Sequence, residues 1–329
     1  MTPTTPATGN PAIGIGFVLL GVTAISVNDM LIKQLSGGYP LHQMVFIRSG
    51  IGILFSLILV HFEGGLAILR TRRPMLHRAR GLLVVISNMT FFAGLAVLPL
   101  ADATALFFVA PLMITLLSIP LLGEKVGPMR LGAVIAGLAG VVIMMKPWQS
   151  AGALEVPRAV FLLPVAAAAT YAMFQILTRK LGASTRASAM AVYIQGMFLV
   201  VSAAIYLVAG DGRLAEGVEN GSLLFLLRAW VWPQGTDGWL FLGLGLNAAI
   251  IGYSLSQAYR LTDAAVVAPF EYVGLPLAVF WGWAIWGDLP DAAVTGGIVL
   301  IVGSGLFVFL REHQRKRRLV SVKRVHRRY

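Results

Sequence analysis

The stretch APFEYVGLP, residues 268–276, places a carboxylate, Glu271, in a run that is otherwise apolar from Ala264 to Trp286. A charge at such a position suits a proton exchanger or a contact for a solute. It also suits a protonated side chain hydrogen-bonded to a neighbouring helix. Two further charges interrupt apolar runs, Asp29 and Arg48. They fall at similar depth, so an ion pair between them is feasible. Such a pair is read as a helix–helix clamp, a substrate contact or a gate, because a buried guanidinium needs a partner whatever its task. Polar and aromatic side chains able to line a cavity are Asn28, Asn88, Tyr171, Gln175, Tyr193, Gln195, Asn247, Tyr253, Gln257 and Tyr272. Interhelical hydrogen bonding accounts for most residues of that kind.

The elements that must hold these side chains follow from composition. The apolar fraction is 57%, the charged fraction 12% and the mean hydropathy +0.81, against about 25% charged in an ordinary soluble domain. Ten apolar windows fall at 12–33, 41–61, 79–98, 102–122, 128–146, 158–178, 188–209, 238–259, 264–286 and 291–310. Each is about the length that crosses hydrocarbon as a helix. The expected fold is an all-α integral membrane protein, with short connections that imply antiparallel neighbours. The N-terminal stretch MTPTTPATGNP has no basic n-region and runs into a segment longer than a signal core, so that segment is read as an uncleaved first span.

Charge orients the spans. Of the 26 basic residues, Lys33, Lys146, Arg158, Arg213 and Arg228 fall on one side and Arg48 lies within a span. All the others fall on the opposite side, which places both termini in the cytoplasm. The seven tryptophans, Trp148, Trp230, Trp232, Trp239, Trp281, Trp283 and Trp286, lie toward the outer side, as an interfacial belt would. Topogenic charge of this kind excludes a nucleic-acid reading of the net +12. With no cysteine there is no disulfide framework or thiolate metal site. No HExxH, clustered DxxxD or other metal-ligand set occurs, and His42 and His61 sit at span ends, so an intramembrane enzyme is disfavoured, no cofactor is expected and the reading is not an enzyme.

The ten windows read as five used twice. LLGEKVGPMRLGA (121–133) aligns with IWGDLPDAAVTGG (285–297), pairing Gly123 with Gly287, Glu124 with Asp288 and Gly132 with Gly296. Asp102 and Asp263 open equivalent helices, and NDMLIKQLS (28–36) lies over FQILTRKLG (174–182), which pairs Asp29 with Gln175. An odd number of spans per repeat inverts the second half, a frequent transporter architecture with its site near midplane. The organisation is a cytoplasmic tail at 1–11, repeats at 12–146 and 158–310 joined by a linker at 147–157, and a basic tail at 311–329.

These features resemble the ten-helix drug/metabolite transporters built from two EamA repeats. The resemblance rests on 121–144, 285–308, APFEY at 268–272 and Arg48 in MVFIRSGIGIL, and covers roughly 14–310. It implies secondary transport of small organic solutes by exchange with protons or another solute. Family substrates range from amino acids and drugs to S-adenosylmethionine and riboflavin. Against the family pattern, Asp288 replaces a glutamate and an outer loop, 210–237, is extended. The expected site comprises Glu271, Tyr272, Asp29, Arg48, Gln175, Tyr171, Gln257, Tyr253 and Asn88.

Helical geometry puts Glu271 about 12 Å from the inner end of its span. Holding it ionised in lipid would cost at least ~2.5 kcal/mol, so it is expected to face the bundle. A stripe of Gly274, Ala278 and Gly282 on one face supports this, with Pro269 and Pro276 bracketing the carboxylate. Glu124 and Asp288 are read as turn chemistry, and Gly132, Ala136 and Gly140 as a packing face. The tail, REHQRKRRLVSVKRVHRRY, either anchors the last span or binds anionic lipid. SLLFLLRAWVWP (222–233) is too short to span and lies at the interface or acts as a partial lid. A bacterial inner-membrane location and a homodimer complete the expectations.

Overall fold

The computed structural model describes residues 11–71, 73–123, 126–149, 156–181, 187–261 and 268–325. Glu124, Lys125, Arg186 and Asp263 lie outside these residues, as do most of the N-terminal tail, half of the 147–157 linker and the last four residues. Every regular element among the described residues is helical. In chain order these are α1 (Pro11–Leu35), α2 (Leu41–Glu63), α3 (Pro74–Leu95), α4 (Leu100–Phe107), α5 (Ala110–Leu122) and α6 (Pro128–Met144). There follow α7 (Arg158–Leu181), α8 (Ala187–Ala209), the short α9 (Gly221–Leu227), α10 (Asp237–Leu261), α11 (Gly274–Trp281) and α12 (Ala292–Val325).

Seven stretches are long and apolar enough to cross a membrane: Ala12–Leu35, Leu41–Glu63, Leu100–Leu122, Arg158–Thr178, Ser188–Ala209, Asp237–Leu255 and Ala292–Arg311. Pro128–Met144 is a shorter apolar helix. Besides that shorter helix, two of the expected windows are absent from the seven for physical reasons. The first turns of α3 carry His77, Arg78 and Arg80, which lower its hydropathy. The window expected at 264–286 is not one α-helix where it is described. Ala268–Val273 is a 3₁₀-helix, α11 follows for two turns, and Gly282–Trp286 is a π-helical turn.

Proline explains the breaks. It has no N–H to give to a preceding carbonyl, so it is tolerated where a helix begins. VAP occurs at 109–111 and again at 267–269. At the first copy α4 ends and α5 restarts with Pro111 in its first turn. At the second the 3₁₀ segment begins.

Packing pairs α1 with α10, α3 with α7, α2 with α8, and α6 with α12 most extensively, and α4 also lies against α11. Exchanging the first five windows for the second five turns the α1–α10 pair into the α7–α3 pair. The other three pairs map onto themselves. Where α6 meets α12, Gly140 and Gly297 bring backbone against backbone. A Cβ on either would lie 2.8 Å from the other's carbonyl oxygen. Gly140 is thus the packing glycine of the expected stripe, whereas Gly132 opens onto a shallow groove. Gly123 and Gly287, matched by the repeat, both end helices with a left-handed φ, 68° and 72°. That conformation strains any residue bearing a Cβ.

Candidate functional site

Arg48 is the most fully engaged of the expected residues. It is 9% exposed, and its two terminal nitrogens donate to Asn28 Oδ1 at 3.3 Å and Asn88 Oδ1 at 3.1 Å. The rings of Phe92 and Phe198 lie 5.9 and 5.5 Å from its central carbon. Four helices therefore converge on one guanidinium: α1 through Asn28, α2 through Arg48 itself, α3 through Asn88 and Phe92, and α8 through Phe198. The spacing of Asn88 and Phe92 is one helical turn, which puts an acceptor and a ring on the same face of α3.

The expected direct pair with Asp29 is replaced by a relay. Arg48 donates to Asn28 Oδ1, and Asn28 Nδ2 donates to Asp29 Oδ1 at 3.1 Å. Successive residues on a helix point about 100° apart, so Asn28 and Asp29 cannot both face α2. Asn28 takes the inward place, and Asp29 supplies its charge at one remove. This leaves two amide oxygens at the guanidinium, whose remaining N–H groups make no other hydrogen bond among the described residues.

A second group forms around Tyr171 and Glu271. Gln175 Nε2 donates to Tyr171 Oη at 2.7 Å, one turn apart on α7. The Glu271 charge acts on both the Tyr171 and Tyr272 hydroxyls, which places the three in one neighbourhood. Tyr272 packs on Phe108 at 5.2 Å between ring centroids, and its hydroxyl fits against Gly305 of α12, where a Cβ would collide with it. Glu271 is half-buried. The stripe expected to share its face is interrupted, because the chain passes from 3₁₀ to α geometry between Glu271 and Gly274. Gly274 instead packs toward Val22 of α1 and Phe108 at the end of α4.

Rings connect the two groups. Phe92 meets Phe91 at 5.2 Å, Phe91 meets Phe107 at 5.2 Å, Phe107 meets Tyr171 at 5.5 Å and Tyr171 meets Phe174 at 5.7 Å. The far end of this row is Arg80, 4.7 Å from the Phe174 ring. Sequence reading assigned Arg80 only to topogenic charge. The structure sets it apart by burial from the exposed Arg70, Arg73 and Arg78, and no sequence signal marked it.

The 210–237 segment, expected at the outer face, covers one end of the bundle. Gln43 exchanges two hydrogen bonds with Val231, Nε2 to O at 2.6 Å and Oε1 from N at 3.2 Å. Tyr39 donates to Asp237 Oδ2 at 2.7 Å and accepts from Gln234 N at 3.1 Å. Burial, with the Asp237 carboxylate that accepts its hydrogen bond, holds the Tyr39 hydroxyl above its ordinary range. Arg228 reaches the carbonyls of Ser36 and Gly37. Trp230 packs among His42, Phe46 and Tyr206, so it is not part of a lipid belt, unlike the exposed Trp148, Trp232, Trp239 and Trp283. Lys33, read in the sequence as an outer topogenic charge, donates to the last carbonyls near the end of α3, Leu95 O at 3.2 Å and Leu98 O at 2.6 Å.

Two expected residues stand apart. Tyr253 is 43% exposed and edges onto Phe17, so it lies on the outer surface of the α1–α10 pair. Gln257 is half-buried, and its Oε1 has no partner among the described residues. The shallow apolar groove between α6 and α12, about 450 Å³ and lined by Gly132, Ala136, Gly303 and Phe307, contains none of the expected site residues. Among the described residues no three His, Asp or Glu side chains gather as a metal cage.

A chain with this many helices long and apolar enough to cross a membrane has clear counterparts among known proteins. The EamA-like transporter family matches over residues 12–146. A riboflavin transporter of Rhizobium johnstonii is 32% identical over 93% of this chain and 91% of its own length. The chain belongs to the EamA-like transporter family. Other relatives of this transporter are an S-adenosylmethionine uptake transporter of Rickettsia prowazekii and a pseudopaline exporter of Pseudomonas aeruginosa. The first is 26% identical over 91% of this chain and 93% of its own. The second is 29% identical over 88% and 93%. A solved crystal structure shares the fold, with a TM-score of 0.60 and 22% identity across 91% of this transporter and 98% of that chain.

Proposed function

We propose that this transporter is a secondary carrier for a small organic metabolite, working by alternating access and coupled to protons or to counter-transport of a second solute. The ten windows form two inverted five-span repeats with both termini cytoplasmic. Support for the repeat comes from the self-mapping helix pairs and from the paired left-handed glycines. The reading includes no catalytic step.

The observation that carries the proposal is Arg48, held at depth by two amide oxygens between two phenyl rings. Guanidinium flanked by aromatic faces suits a planar heteroaromatic solute with carbonyl or carboxylate acceptors. Riboflavin and S-adenosylmethionine, named for two relatives, both carry conjugated rings and such acceptors. A vitamin or nucleoside-like metabolite is accordingly the favoured cargo, and a drug or other amphipathic solute the second. Glu271 is the proton-carrying group in this scheme, and Tyr171, Tyr272, Gln175 and Asn88 complete the lining. The basic tail holds the last span at the cytoplasmic face and attracts anionic lipid.

The test is flux. Purified protein in proteoliposomes should accumulate labelled riboflavin or S-adenosylmethionine when a pH gradient is imposed, and should exchange internal for external solute when it is not. Absence of both accumulation and exchange for these solutes would defeat the cargo assignment.

A further inference from the structure

Arg80 is 5% exposed, two residues beyond the exposed Arg78 on the same helix. A topogenic arginine has no reason to be buried, because its task is done in headgroups and water. Burying a guanidinium without an anion is costly, so the fold must hold Arg80 inward for some return. Its Nε donates to Thr178 Oγ1 at 2.7 Å, and Thr178 in turn donates to Phe174 O at 2.8 Å. That chain fixes the plane of the guanidinium over the Phe174 ring, 4.7 Å away. Both terminal nitrogens, with four N–H donors, have no partner among the described residues. No carboxylate pairs with Arg80 there. The titratable neighbour that senses it is His77, whose own charged form it opposes.

An oriented, uncompensated fork beside an aromatic face is what recognises a carboxylate or phosphate carried on a ring. Its place in the molecule gives it a role. The row Phe92, Phe91, Phe107, Tyr171 and Phe174 begins at Arg48 and ends at Arg80. Arg80 lies near the start of α3, on the side that the basic loops assign to the cytoplasm. We infer that Arg80, set by Thr178 and backed by Phe174, is an anion-binding station on the cytoplasmic side of the solute route, taking the carboxylate or phosphate of an aromatic solute. This rests on the transport reading above for the existence and direction of the route.

The experiment uses matched probes that differ by one phosphate: riboflavin against flavin mononucleotide, and adenosine against adenosine monophosphate. Binding is measured to the full-length protein in phosphatidylcholine nanodiscs. The phosphorylated member of each pair should bind about tenfold more tightly than its neutral partner, roughly one extra charge-assisted contact. Arg80→Gln should remove that preference and leave the neutral probes unchanged. Arg80→Lys, which keeps the charge but loses the fork, should retain only part of it. If Arg80→Gln does not incorporate, Thr178→Val decides instead, because it frees the Nε anchor and should weaken the preference severalfold with the charge intact.

No preference for the phosphorylated probes in wild type, including the case where neither member binds, overturns the station. So does a preference that survives Arg80→Gln, or one that Thr178→Val leaves untouched. The same preference should persist in phosphatidylglycerol discs. Its loss there would assign the site to a lipid headgroup and overturn the solute role. Failure of flux in the proteoliposome test defeats the transport reading separately, since the probe preference is an equilibrium measurement.

Discussion

Arg48 and Glu271 are both ionisable groups set deep in apolar sequence, but the chain around them is built differently. Arg48 sits in the middle of a regular helix, and side chains from three other helices meet it. Glu271 sits in a 3₁₀-helix that leads into two turns of α-helix and then a π-helical turn. Hydrogen bonds of 3₁₀ and π geometry are weaker than α-helical ones, and irregular backbone at depth is tolerated where it is enclosed by protein or lines a cavity. One charge is therefore mounted on a regular helix and the other on irregular backbone. Under the proposed alternating access, the first would be a constant contact for the solute and the second a coupled group whose surroundings differ between states.

The sharpest way to break this comparison is at the fixed end. Arg48→Ala strips Asn28 and Asn88 of their common partner and should destabilise the fold by on the order of 3–5 kcal/mol. Solute flux should fall by about 100-fold or more, measured in proteoliposomes beside a thermal melt. Arg48→Lys should rescue little, since an ammonium cannot span the two amide oxygens as a planar fork does. A melt unchanged by Arg48→Ala would mean that the frame is not fixed by this residue.

At the irregular end the expectation reverses. Glu271→Gln keeps the shape and removes the proposed proton-carrying group, so gradient-driven flux should drop by roughly tenfold or more. The melt should stay within about 1 kcal/mol of wild type. Equal losses of stability and flux would make Glu271 a structural residue like Arg48, and the contrast would fail.

Two smaller effects sharpen it. Gln43 lies five residues before Arg48 on α2, and its two hydrogen bonds to Val231 tie that helix to the outer segment. Gln43→Ala should cost about 1–3 kcal/mol and speed proteolytic cleavage between Arg228 and Thr236, read by limited proteolysis. The smallest effect concerns α12, against which Tyr272 rests. Burial by itself would push the Asp291 carboxyl up, but its bonds from Lys146 and the Val294 N–H outweigh this and hold it below the ordinary range. A depressed folded value gives stability that is present above the unfolded value, about 3.9, and is lost as pH falls through the folded one. Acid titration of the melt should show this small loss below about pH 4. Lys146→Met should shrink this loss, because it removes a cause of the depression, and the change should be modest because Asp291 is half-exposed.

Much of this was legible in order of residues alone. Hydropathy and basic-residue placement marked the apolar windows, and the internal match located the paired turn glycines. The residues of the proposed site, Arg48, Asn88, Tyr171, Gln175, Tyr272 and Glu271, stand out in the sequence because polar groups in apolar runs are costly unless used. Tyr253 was named on the same ground and lies outside, since a tyrosine hydroxyl is cheap enough to face the surface. That Asn28 stands between Asp29 and Arg48 was not legible, because depth can be estimated from position, whereas direction around a helix needs the packed partner. Arg80 was overlooked because a basic residue beside other basic residues carries no mark of its own burial.

The sequence by itself determined that the chain is helical and membrane-suited, where its helices restart at proline and where glycine must turn the backbone. Those properties are local: they depend on transfer free energy along the chain, on a missing N–H and on a missing Cβ. Only the tertiary structure decided that Asn28 stands between Asp29 and Arg48, that a row of rings runs from Arg48 to Arg80, and that Gln43 and Tyr39 hold the outer segment down. Those depend on which faces of distant helices meet, which is settled by packing among all of them at once.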